Sequence, residues 1–153
     1  MSKVEKNLEK NSLRVPTVPA PQYNYVPAKR VGDLVFVAGQ GPSVNGKNMY
    51  VGQLGRELSV QEGIEAAKLC ALNCLACLKT VVDLDEVEEI AQVIGYVNSV
   101  DGFDKQPEVM NGASNVFIAA FGAHGRHARA AVGTSVLPVP VEVVIVAKVA
   151  SSS

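Results

Sequence analysis

The apolar and polar positions alternate between two rhythms along this chain. In "VGDLVFVAGQGP", Gly32-Asp33 is a turn signal. Leu34 to Ala38 is rich in β-branched and aromatic residues, which predicts a strand that Gly39, Gly41 and Pro42 stop. Asn45-Gly46 in the next stretch predicts a hairpin, with a short strand near Met49 to Val51. The rhythm then changes. In "SVQEGIEAAKLCALNCLACLKTVV", Ile64, Ala67, Ala71, Leu75 and Leu78 recur at helical spacing. Ser59 stands three residues before Glu62, the spacing of a capping box.

"EIAQVIGYVNSV" is apolar at nearly every position and predicts a central strand. "DGFDKQPEVMNGASNVFIAAFG" predicts a second helix. Pro107 suits its first turn and Gly122 its stop. Val109, Ala113, Phe117, Ala120 and Phe121 form its buried stripe. Two strands close the chain, near 129–137 and 141–149, separated by "PVP". The order is strand, hairpin, helix, strand, helix, strand, strand. In that order, one face of a sheet can be covered by the two helices. The other sheet face stays apolar and is expected to pack against another subunit. Residues 1–22, with Pro16, Pro19 and Pro21, are expected to be an irregular, solvated lead-in. Residues 23–150 are expected to form a single domain.

Composition narrows the function classes. The chain has 153 residues, 48% apolar and 19% charged, with a net charge of −1. That balance fits a globular domain and gives no global attraction to nucleic acid or anionic membrane. No secretory signal is evident at the start, and no uncharged apolar run reaches the roughly 18 residues of a membrane span. A cytoplasmic protein is the expectation. Cys70, Cys74 and Cys77 fall at i, i+4 and i+7, on one helix face. They are expected to pack in the core rather than to hold a metal or carry redox chemistry.

The candidate chemistry concentrates in "HGRHARAAVG", residues 124–133. Two histidines and two arginines lie within six positions, just before a run of apolar strand residues. A guanidinium presents a planar fork suited to a carboxylate. Arg129 therefore reads either as a carboxylate clamp on a rigid strand or as a surface arginine in an ion pair.

"VGDLVFVAGQGP", "VIGYVNSVDGF" and "HARAAVG…LP" together resemble the Rid family of reactive intermediate deaminases, also called YjgF-like or endoribonuclease L-PSP. The resemblance covers about residues 23–150. Its main elements are Ala-Gly-Gln at 38–40, Ala-Arg at 128–129 and Leu137-Pro138. It implies a chorismate-mutase-like α+β fold with a mixed sheet covered on one face by two helices, and a homotrimer with sites between subunits. It also implies hydrolysis of imines or enamines to 2-oxo acids and ammonia, without cofactor or metal.

Carried over residue by residue, the resemblance makes Arg129 the clamp for the substrate carboxylate. Tyr25 matches a site-lining tyrosine, although "NYVP" departs from the usual loop, and a packed loop aromatic is the alternative. Asn111 matches a family asparagine if the loop after its helix is one residue longer here. A water-orienting glutamate would be Glu142 if the "PVP" loop is two residues shorter; gapless counting puts Val144 there. Positions 142 and 144 share strand parity and hence a face. Glu142 reads either as a general base or as an ion-pair partner at a subunit interface. Ala38 and Ala131 stand where many members have serine and cysteine. His124 and His127 either protonate a leaving amine or tune local charge, and Arg126 is expected to face solvent. The ligand expected is a small imine, enamine or 2-oxo acid. A non-catalytic carboxylate-binding trimer is the alternative. A ribonuclease reading has little support, since aromatic residues make up only 5%.

Overall fold

The computed structural model describes residues 1–18 and 23–151. Pro19 and Pro21 of the expected lead-in lie outside the described residues. A five-stranded mixed sheet carries the fold. Its strands are β1 (Ala28–Val31), β2 (Leu34–Gln40), β5 (Val87–Asn98), β6 (Ala128–Thr134) and β7 (Val141–Val149), in the order β1-β2-β7-β5-β6. A separate hairpin joins β3 (Ser43–Val44) to β4 (Lys47–Asn48). The helices are α1 (Lys3–Glu9), α2 (Val60–Leu78) and α3 (Gln106–Phe121). Short 3-10 turns lie at Leu84–Glu86 and Gly122–Gly125.

The local signals act as their chemistry dictates. The Ser59 hydroxyl accepts from the Glu62 amide, and the Glu62 carboxylate accepts from the Ser59 amide, so α2 starts on a complete capping box. Asn45 and Gly46 take φ of 52° and 79°, the two left-handed residues of a tight hairpin turn. That turn pairs Val44 with Lys47 directly, so the return strand is Lys47–Asn48 rather than the expected 49–51. Pro107 sits in the first turn of α3, and Gly122 ends it at φ 61°.

One sheet face is dry. Along β7, Val141, Val143, Ile145, Ala147 and Val149 are buried, while the residues between them are half-buried or exposed. The buried set packs under α2 and α3 with Leu75, Leu78, Met110 and Phe117. Cys70, Cys74 and Cys77 are buried in this core. The Cys70 and Cys74 thiols donate to the carbonyls of Val141 and Val143, at 3.4 and 3.5 Å. Burial pushes the Cys77 thiol to about 11, so it stays protonated at neutral pH. The opposite face leaves Leu34, Phe36, Tyr96 and Val132 exposed.

The expectation of an irregular, solvated lead-in does not hold for residues 3–9. They form α1, whose Val4 and Leu8 are buried in the core. The Ser2 hydroxyl accepts from the Glu5 amide at 3.0 Å. The Asp85 carboxylate accepts from the amides of Lys3 and Val4, at 3.0 and 3.1 Å. Those bonds hold the Asp85 carboxyl below its usual range. Asn7 donates to the Ala120 carbonyl at 3.1 Å, fastening α1 to α3. A helix of 7 residues is unstable alone, so tertiary contacts hold it in place.

Candidate functional site

The site is built where β6 passes beside α3. The two strands β5 and β6 run parallel and are joined through α3. Arg129 on β6 is in register with Val93, which is fully buried beneath the helices. Register partners share a face, so Arg129 points to the helix side of the sheet. There it meets Pro107, Asn111 and Ser114, spaced along one face of α3.

Arg129 is held by three acceptors. One guanidinium nitrogen donates to Asn111 Oδ1 at 2.8 Å and to Ser114 Oγ at 3.1 Å. The other terminal nitrogen donates to the Pro107 carbonyl at 3.2 Å. All three acceptors are neutral, and no carboxylate pairs with Arg129 among the described residues. A guanidinium has five N–H groups, so donors remain for a ligand. The geometry makes a fixed cation whose charge has no counter-ion among the described residues.

An open pocket of about 360 Å³ lies at this point. Asn111, Ser114 and Ile118 of α3 line it, with Arg126, His127 and Arg129 opposite. Among the described residues, no acidic one lines it. A larger hollow of about 650 Å³ lies between α1 and the 84–86 turn. Two of its acidic groups are already engaged: Glu5 pairs with Lys79 at 3.3 Å, and Asp85 caps α1.

His127 is half-buried in the smaller pocket. Its Nδ1 lies 2.6 Å from the Gly125 carbonyl and its Nε2 lies 2.8 Å from Ser114 Oγ. Its ring meets the Phe117 ring edge-on, with centroids 5.8 Å apart. Burial holds its pKa below 6.5; the Gly125 carbonyl opposes that shift and the Arg129 charge adds to it. Gly125 is confined, since a Cβ there would stand 2.1 Å from the Phe117 carbonyl oxygen.

The expected site residues separate into two groups. Arg129 and Asn111 come together. The Asn111-Gly112 pair, costly inside a helix, divides its roles. Asn111 bonds Arg129, whereas Gly112 serves packing, because a Cβ there would lie 2.1 Å from the Ile64 carbonyl oxygen on α2. Tyr25 lies in the bend leading into β1, 47% exposed, at the sheet edge opposite β6. Glu142 lies on β7 opposite Tyr96, on the sheet face away from the helices. Its carboxylate lies over Gly39, where a Cβ would come within 2.9 Å of it. Val144 shares that face. Within one chain, neither Tyr25 nor Glu142 joins Arg129. His124 turns to Glu89, at 3.0 Å, and leaves the pocket to His127. Ser114 is the residue that the sequence reading lacks. Its position three residues after Asn111 on a predicted helix is the signal that places it beside Asn111.

The family described as "YjgF/chorismate mutase-like, putative endoribonuclease" matches residues 5–150. "Protein TCP17" of Trypanosoma cruzi is 38% identical over 138 residues, covering 89% of this chain and 86% of that protein. A solved structure of the protein Atu1372 from Agrobacterium tumefaciens, of unknown function, is 36% identical with a TM-score of 0.90, covering 96% of this chain and 92% of the other. A structure called a putative endoribonuclease from Shewanella oneidensis is 32% identical with a TM-score of 0.92, covering 97% and 100%.

Proposed function

The chain belongs to the YjgF/chorismate mutase-like, putative endoribonuclease family, and on that basis we propose that it hydrolyses small carboxylate-bearing imines, or the enamines that tautomerise to them. The products are a 2-oxo acid and ammonia. The observation that carries this reading is Arg129, held by three neutral acceptors with its charge uncompensated. Such a cation takes an anion, and the fork favours a carboxylate. A protonated iminium carbon beside that carboxylate is already electrophilic, so a positioned water completes the reaction.

Tyr25 and Glu142 enter this reading through a second copy of the chain. β1 and β6 are the two edges of the sheet, so a ring of copies offers the Tyr25 edge of one chain to the Arg129 edge of the next. The exposed Leu34, Phe36, Tyr96 and Val132 give the remaining face an apolar surface to bury. A homotrimer with sites between subunits is the arrangement proposed, with Glu142 holding the attacking water.

The test generates 2-iminopropionate with an amino-acid oxidase and traps it with semicarbazide. The protein should divert imine to pyruvate, and Arg129→Ala should abolish the diversion. An unchanged trapping rate removes the reading. A second reading, a carboxylate-binding protein without turnover, is favoured by the separation of Glu142 from Arg129 within the chain. Calorimetric binding of pyruvate without imine hydrolysis would select it. The endoribonuclease name of the Shewanella protein finds less support here, since the net charge is −1.

A further inference from the structure

Ser114 and His127 form a hydrogen-bonded pair whose direction the structure determines. The Gly125 carbonyl can only accept, so the proton between it and His127 belongs to Nδ1. In the neutral ring Nε2 is then an acceptor, and the Ser114 hydroxyl donates to it over 2.8 Å. One lone pair of Ser114 Oγ takes the Arg129 N–H at 3.1 Å. The other lone pair remains for a water in the pocket that Ser114 and Arg129 both line.

We infer that Ser114, backed by His127, is the proton-transfer pair of this pocket, with Ser114 touching the reacting water and His127 acting through it. This rests on the imine-hydrolase reading. It places acid–base chemistry on the same chain as the carboxylate clamp, in a position distinct from Glu142.

The step balances without any further reactant. The water oxygen attacks the iminium carbon, and the C=N pair moves to nitrogen. The water's proton passes to Ser114 Oγ while the Ser114 proton passes to His127 Nε2. The imidazolium keeps its Nδ1–H on the Gly125 carbonyl. Arg129, 3.1 Å from Oγ, favours the negative charge that develops there. The carbinolamine nitrogen then takes a proton back through Ser114. The C–N bond breaks with its pair on nitrogen, C=O forms, and the hydroxyl proton leaves through the same pair to ammonia or solvent. Iminium and water become 2-oxo acid and ammonium.

The surroundings keep the resting base neutral. The charged groups lining the pocket with His127 are Arg126 and Arg129, both cations, and α3 contributes neutral groups there. Glu89 on β5 is engaged by His124. Burial and Arg129 both disfavour the imidazolium, so His127 can accept a proton at neutral pH and surrender it readily.

The experiment measures kcat and KM for 2-iminopropionate across pH, and pyruvate affinity by calorimetry, for wild type, His127→Gln, Ser114→Ala and Ser114→Thr. Gln can still accept from Ser114 but cannot take up a proton. His127→Gln should lower kcat by about 100-fold, leave KM and pyruvate affinity unchanged, and remove the acidic limb of the kcat profile. Ser114→Ala should act in the same direction, and Ser114→Thr should recover turnover by restoring the hydroxyl. A His127→Gln protein with wild-type kcat, or one that keeps the acidic limb, overturns the pair while leaving the imine reading intact. A folded wild type that binds pyruvate yet hydrolyses no imine overturns both.

Discussion

Asn111 Oδ1 accepts a hydrogen bond from the Arg129 guanidinium at 2.8 Å, although the two residues come from a helix and from the edge strand that follows it. The partner is an amide rather than a carboxylate, which orients the cation without neutralising it. Asn111→Asp keeps the shape and adds the missing counter-charge. The variant should bind pyruvate about tenfold more weakly, or worse, as Arg129 turns to its new internal partner. Calorimetry on the folded variant measures this, and unchanged affinity would show that Arg129 is not the anion-binding group.

Gly112 tests the packing explanation for the second residue of that pair. On helix propensity alone, Gly112→Ala should stabilise α3 by about 1 kcal/mol. The new Cβ, however, would stand 2.1 Å from the Ile64 carbonyl oxygen, and backbone cannot swing aside as a side chain can. Overpacking costs about 1–3 kcal/mol, so the clash wins. Denaturant unfolding should show a lower midpoint for Gly112→Ala.

Leu8 carries α1 into the core with no exposed surface. Leu8→Ala should cost about 2–5 kcal/mol, as for other buried leucines. A solvated tail would instead give a change near zero. Thermal or denaturant unfolding separates the two outcomes.

α1 was hidden because a short helix offers just two buried positions, Val4 and Leu8, and its stability comes from Asp85 and α3, far along the chain. The long elements were legible for the opposite reason. α2 carries its own cap and stripe, α3 carries a buried stripe at helical spacing, and β5 is apolar at most of its positions. Arg129 was legible as a residue type suited to a carboxylate, and Asn111 through the family resemblance. Ser114 was not, since its significance depends on His127, which meets it only after β6 docks beside α3. Strand parity put Glu142 and Val144 on one face, but it could not say which face Arg129 occupies. That relation passes from strand to strand through register, and register is a tertiary property.

The lowered pKa of His127 makes folding pH-dependent. The unfolded ring titrates near 6.5, and the folded ring titrates below that. Between the two values the unfolded chain binds more protons, so stability falls as pH drops through this window. Above the window both states are neutral and His127 adds no slope. Melting temperatures measured from neutral to mildly acidic pH should decline in the wild type. His127→Gln should remove part of that decline, and an identical slope would mean that the ring is not confined in its neutral form.

Phe36 provides the test of assembly. It lies on the sheet face away from the helices, 46% exposed, and Val132 on β6 is 46% exposed as well. A charge at Phe36 touches no part of the helix-covered core, so Phe36→Asp should fold as one chain. If copies bury this face together, that charge is desolvated in the assembly without a partner, a large cost. Sedimentation velocity should then show a trimer for wild type and a monomer for Phe36→Asp. The two proposed sets of site residues respond differently to the same variant. Arg129, Asn111, Ser114 and His127 all come from one chain, so pyruvate binding should persist in the monomer. Tyr25 and Glu142 would reach Arg129 only through a neighbour. Turnover retained by the monomer would assign the proton transfers to Ser114 and His127, and turnover lost with binding intact would show that Glu142 or Tyr25 of the next copy is required.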